Sequence, residues 1–199
     1  MSRRHSVYYF NTQEEDAFEQ LGLALSSMIS VYHRACSEFV ILCIGTDRVT
    51  GDSLGPLIGY KLSRINLDRI YVYGTLDCPV HAQNLDETLA IIHEEHPNIP
   101  IIAIDASLGN KKHLGYITLG KGPLLPGAGV NKDLTAVGDI CITGIVNTSG
   151  LLEHMLLQTT RLSTVMNLAD CIAKAIHFAY FDRPKMTGRI GTFFHSLTS

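Results

Sequence analysis

The chain has 199 residues, enough for one domain with a sizeable core. At 46% hydrophobic and 18% charged residues it reads as a folded globular chain and not a disordered one. A formal net charge of -3, the lack of Trp and the scattering of the aromatics argue against a nucleic-acid footprint.

Residues 1–12 read as polar and frayed. The opening Ser2-Arg3-Arg4-His5-Ser6 has the twin arginine of an export signal. Asn11 to Glu19 is polar and acidic where such a signal needs an apolar region. No apolar run reaches membrane-spanning length, so the expected compartment is the cytoplasm, with no membrane partner. From Glu14 to His33 the apolar positions Phe18, Leu21, Leu25, Met28 and Tyr32 recur at helical spacing behind an acidic first turn. A helix covering a sheet is the expectation there.

Phe39 to Ile44 is an apolar run of strand length, ended by Gly45. Leu54 to Ile65 reads as the next helix, with Asp52 or Ser53 at its N-cap. Ile70 to Leu76 reads as a strand, Leu85 to His93 as a helix, and Ile101 to Asp105 as another buried strand. Gly115 to Leu119 is a further strand after a short, hairpin-like loop, which implies one antiparallel pair. Gly120 to Gly138 is a long loop rich in Gly and Pro, and loops of that length are usually functional. Ile140 to Val146 reads as the last strand. Thr148 or Ser149 would cap a helix through Gln158, and Leu162 to Tyr180 is a final amphipathic helix.

Strands alternating with helices point to an α/β fold, a three-layer α/β/α sandwich around a mostly parallel sheet. One domain spans residues 1–199, with an N-terminal helical segment (1–35), an α/β core (38–182) and a tail (183–199). Apolar helix faces would serve a homo-oligomer as well as sheet packing. The five Cys have no paired spacing, which argues for a reducing compartment and against a disulfide or structural zinc framework.

Two strands each deliver a carboxylate towards one edge. The Phe39–Ile44 strand leads into a loop with Asp47 and Asp52, and the Ile101 strand ends at Asp105. In open α/β sheets ligands bind beyond the carboxyl ends of the strands, where the strand order reverses. If these two strands are neighbours, Asp52 and Asp105 face one crevice. Each has an ordinary alternative role: Asp52 as a helix cap, Asp105 as an acceptor for nearby amides or for Ser107. The pair is more informative. Two carboxylates held close cannot both ionise easily, so one keeps a proton. One member can then activate water while the other donates a proton.

Other chemistries fit less well. Ser53 and Ser107 stand outside G-x-S-x-G. The loop lacks both phosphate-binding glycine signatures, and its two acids would repel phosphate. His93 and His96 fall at a solvated helix end, whereas His81 and His113 flank the crevice as lesser candidates for ligands or bases. His154 and His177 sit in expected helices with no further signal.

Three segments carry a resemblance. T-G-D-S-L-G-P (Thr50–Pro56), I-D-A-S-L-G (Ile104–Gly109) and P-G-A-G-V-N-K (Pro126–Lys132) resemble segments of the germination protease family of endospore-forming bacteria. The corresponding segments there run approximately T-P-D-A-L-G-P, I-D-A-L and P-G-S-G-V-G-N-K. The chain as a whole looks closer to the shorter sporulation protein YyaC family. The resemblance covers roughly Phe39 to Gly150. It implies a phosphorylase/hydrolase-like fold similar to the hydrogenase-maturation endopeptidases, and an aspartic-type endopeptidase in the forespore or mother cell. Asp52 and Asp105 would be catalytic. Asp47, Ser107, Gly127, Gly129 and Asn131 would contact a protein or peptide substrate, such as a spore protein. No cofactor or metal is implied, since the Gly120–Asn131 loop lacks the His that supplies a third metal ligand in the hydrogenase-maturation enzymes. Two alternatives stand: a non-catalytic peptide- or protein-binding relative, and a metal-dependent processing peptidase using Asp52, Asp105 and His81 or His113.

Overall fold

The computed structural model describes residues 7–32, 38–126, 135–150 and 153–181. Its elements run β1 (Val7–Asn11), α1 (Ala17–Tyr32), β2 (Phe39–Cys43), α2 (Leu54–Ser63), β3 (Ile70–Tyr73), α3 (Leu85–Glu95), β4 (Ile101–Gly109), β5 (Tyr116–Lys121), β6 (Ile140–Thr148), α4 (Glu153–Gln158) and α5 (Leu162–Phe181). Among the described residues six strands form one sheet in the order β1-β5-β6-β4-β2-β3. The run β6-β4-β2-β3 is parallel, and β5 is antiparallel to both β6 and β1. This is the mostly parallel α/β sheet that the alternation of elements implies.

The central strands have the composition their position demands. All five residues of β2 and the first six of β4 are buried, because helices or loops cover both faces. On one face Ile41, Ile104 and Ile142 meet Leu21 and Leu25 of α1, Ile58 of α2, and Leu168 and Ile172 of α5. On the other, Val40, Leu42 and Ala103 meet Leu85, Leu89 and Ile92 of α3, with Leu124 and Val137 completing the cluster. Helix α1 lies close on α5 through Gly22, where an added Cβ would fall 2.7 Å from the Phe178 ring and 2.9 Å from the Ala175 carbonyl.

Three expectations are corrected. Residues 7–11 are not frayed: they form the edge strand β1, with Tyr8 and Phe10 turned to the core and Val7 and Tyr9 half exposed. Strands β4 and β5 do not pair as a hairpin. The Asn110–Gly115 connection steps across β6, which lies between them, so the sheet has two antiparallel pairs. Thr148 ends β6, and Ser149 extends its pairing through an N–H bond to the Gly109 carbonyl, so neither caps α4. The tail after Asp182 lies outside the described residues. No described helix is long and apolar enough to cross a membrane.

Candidate functional site

Strand β2 ends where Ile44 donates its N–H to the Ile104 carbonyl of β4 (2.7 Å), and Gly45 donates to the Val80 carbonyl (2.8 Å). Gly45 has φ +142°, and a Cβ there would sit 2.0 Å from the backbone oxygen of Asp52. Only glycine allows this approach. The chain then turns through Asp47 and Arg48, both exposed, into a 3-10 turn, Thr50–Ser53, that runs straight into α2.

Asp52 does not cap α2. Its Oδ2 accepts the Thr46 N–H at 3.0 Å, and its carbonyl accepts the same N–H at 3.0 Å, so the residue closes its own loop. Ser53 occupies the N-cap position, but its hydroxyl donates back to the Thr50 carbonyl (2.7 Å). Gly55 brings α2 down on the strand end, since a Cβ there would lie 2.1 Å from the Ile44 carbonyl.

Asp105 is the fifth residue of β4 and is 5% exposed. Its Oδ1 accepts the N–H of Ala106 at 2.8 Å. Strands β2 and β4 are neighbours, and the 3-10 turn that carries Asp52 packs against β4. Pairing with β6 carries β4 on to Gly109, so Asp105 does not end its strand as expected; it lies one residue beyond the Cys43–Ile104 pair at which β2 ends, on the strand against which the Asp52 turn packs. A row of side chains runs outward from Asp105 in sheet register: Thr143 on β6, Thr118 on β5 and Tyr9 on β1. Ser107 donates to Thr143 (3.1 Å) and to the Gly144 carbonyl (3.3 Å), and the Thr143 and Thr118 hydroxyls are 2.7 Å apart. Sequence reasoning missed Thr118 and Thr143, because their meeting depends on β6 entering between β4 and β5.

The other candidates lie as follows. Ser107 belongs to this hydroxyl row, and Asp47 stands at the exposed tip of the Asp52 loop. Gly127, Gly129 and Asn131 lie outside the described residues. The two arms of their loop pair at Leu124 and Val137, and Thr135 on the returning arm donates to Asp86 in the first turn of α3 (2.9 Å). His81 follows Val80 beside Gly45; its Nδ1 accepts from Gln83 N–H (3.3 Å). His113 packs against the rings of Tyr9 (5.0 Å) and Tyr116 (5.3 Å), beside β5 and two strands from Asp105. Among the described residues, no three His, Cys, Asp or Glu side chains gather as a metal site would need. The set of Asp52, Asp105 and His81 or His113 is thus not assembled. Cys43, the last residue of β2, is fully buried, and burial pushes its thiol up, away from the nucleophilic thiolate.

The sequence profile described as "Protein of unknown function (DUF1256)" matches residues 9–175. The chain belongs to the DUF1256 family. The match runs from within β1 to within α5, and so includes both acids and all of β2 to β6. A curated relative, "Uncharacterized protein YyaC" of Bacillus subtilis (strain 168), is 49% identical over 175 residues, covering 88% of this chain and 84% of the relative. Among solved structures, the [NiFe] hydrogenase maturation protease HycI from Thermococcus kodakarensis KOD1 aligns with a TM-score of 0.49 and 16% identity. The alignment covers 77% of this chain and 99% of that one.

Proposed function

We propose that this DUF1256 chain is a sporulation-associated, peptidase-like protein in which Asp52 and Asp105 act as a carboxylate pair on a peptide bond. One acid would take a proton from water as it attacks the carbonyl carbon. The other would give a proton to the leaving nitrogen. Backbone N–H groups of the Gly120–Lys132 loop would stabilise the developing oxyanion. The observation that carries the reading is the packing of the Asp52 turn against β4, the strand in which Asp105 is buried. The sporulation setting and the protein substrate rest on the sequence resemblance.

The test is a cleavage assay. Wild type, Asp52→Asn and Asp105→Asn are incubated with an extract of small acid-soluble spore proteins, and products are read by mass spectrometry. Discrete new termini from wild type and none from either folded variant are expected. Cleavage by both variants at the wild-type rate removes the dyad.

A second reading has its own support. Each acid already serves the local structure, since Asp52 holds the Thr46 N–H and Asp105 holds the Ala106 N–H. A non-catalytic relative that binds a peptide in the same crevice would keep both for that reason alone. Capture of an intact spore protein with equal affinity by wild type and Asp52→Asn favours this second reading.

A further inference from the structure

The pairing of β4 with β6 slips by one residue near the carboxyl edge. Ser107 stands opposite Ile145, but Leu108 stands opposite Asn147, leaving Val146 as the extra residue of a β-bulge. Before the bulge, β6 alternates regularly: Ile140 and Ile142 enter the core under α1, α2 and α5, while Cys141 and Thr143 face the other way. Continued alternation would turn residue 147 to the side of Thr143. The inserted residue places Asn147 opposite Leu108, on the face covered by α1, α2 and α5. Bulges beside functional sites often serve to re-aim a side chain.

The re-aimed amide has definite partners. Asn147 Nδ2 donates to the Leu156 carbonyl at 2.8 Å and to Thr160 Oγ1 at 3.2 Å, while its Oδ1 accepts the Thr148 N–H at 2.8 Å. Thr160, 6% exposed, donates to the Leu156 carbonyl at 2.9 Å. The α4–α5 junction is thereby fastened to the sheet. On that junction rests Gly51, the residue before Asp52. A Cβ at Gly51 would fall 2.8 Å from both the Leu157 carbonyl oxygen and Thr160 Oγ1.

We propose that Asn147 and Thr160 are positioning residues that set the height of the Asp52 turn over the strand ends. They act by fixing the surface against which that turn is pressed. The proposal deepens the peptidase-like reading and rests on it, since it assigns residues that serve the same site. Its test does not depend on cleavage.

Amide hydrogen exchange, followed residue by residue on the full chain by NMR, provides that test. The Thr46 N–H reports the placement of Asp52 because Oδ2 and the backbone carbonyl oxygen of Asp52 each accept it at 3.0 Å. The Ile44 N–H, bonded to Ile104, reports the sheet itself. In Asn147→Ala and Thr160→Val, exchange at Thr46 should rise about tenfold, the scale of one lost hydrogen bond. Ile44 should hold its wild-type rate, and Thr160→Ser, which keeps the hydroxyl, should restore Thr46. Unchanged Thr46 exchange in both variants overturns the proposal. So does a rise at Thr46 and Ile44 in equal measure, which would mean general stabilisation only. If Asn147→Ala does not fold, the same comparison on Thr160→Val decides. Selective loosening of Thr46 in a protein that cleaves nothing keeps the positioning role and removes the peptidase; cleavage without loosening does the reverse.

Discussion

Replacing Gly45 by Ala perturbs the site at its narrowest point. The backbone there has φ +142°, where a side chain brings about 1–3 kcal/mol of strain. The new methyl would also begin 2.0 Å from the Asp52 carbonyl oxygen. An ordinary C···O contact needs about 3.3 Å, so the Asp52 turn must retreat by about 1.3 Å. Overpacking of that kind costs a further 1–3 kcal/mol or so. The control is Gly115→Ala, at φ +80° with its nearest contact 3.8 Å away, which carries strain without the clash. Thermal unfolding should then place Gly45→Ala several degrees below Gly115→Ala, at about 2–4 °C per kcal/mol for a chain of this size. The Thr46 N–H resonance should shift as well, because its acceptor moves. Equal melting temperatures with an unmoved Thr46 resonance would refute the close approach, and with it the account of how Asp52 is held.

Two further outcomes follow from individual groups. Cys43 is buried and its thiol pushed up, whereas Cys78 is exposed. In native protein at mildly alkaline pH, a thiol reagent should label Cys78 within minutes and leave Cys43 untouched until the chain unfolds, as peptide mapping would show. Tyr73 donates to Glu95 Oε2 (2.6 Å), and burial first, then this bond to the carboxylate, raises its hydroxyl from the ordinary 10.0 to about 12. The folded state therefore favours the neutral phenol. That contribution is complete below pH 10.0 and is lost as the pH rises through about 12. Tyr73→Phe should flatten the fall of stability across that window in denaturant titrations; a fall as steep as in wild type would contradict the assignment.

The parts of the fold that the sequence discloses are those whose cause is local. Strands β2 and β4 are legible because a parallel strand covered on both faces must be a continuous apolar run, but the end of β4 is not, since pairing with β6 carries it past the charged Asp105 to Gly109. Their adjacency is not fixed by the alternation of strands and helices; the pairing of β2 with β4 supplies it. What escapes is set by pairing at a distance. Strand β1 is short and half exposed, and its partner β5 lies far along the chain. The insertion of β6 between β4 and β5 leaves no trace in the short loop that joins them. Asp52 reads as a cap because local propensity favours it there. The approach allowed by Gly45 gives its carboxylate the Thr46 N–H instead. The turn of Asn147 towards α4 and α5 comes from a bulge, which is a relation between two strands and not a motif in either. A polar Asn-Thr-Ser run ending an apolar strand was its one visible sign.

The place of β1 in the sheet has a consequence for synthesis. Its five residues leave the ribosome before the other described strands, but its neighbour in the described sheet, β5, is completed at Lys121, and β5 is itself held in place by β6, which ends at Thr148. Helix α1 waits longer still, for α5. At about 5–20 residues per second, the Val-Tyr-Tyr-Phe-Asn segment and the apolar stripe behind it stay unpaired for on the order of ten seconds or more on the growing chain. The nascent chain must therefore carry this edge strand and the apolar face of α1 uncovered until β5, β6 and α5 have followed.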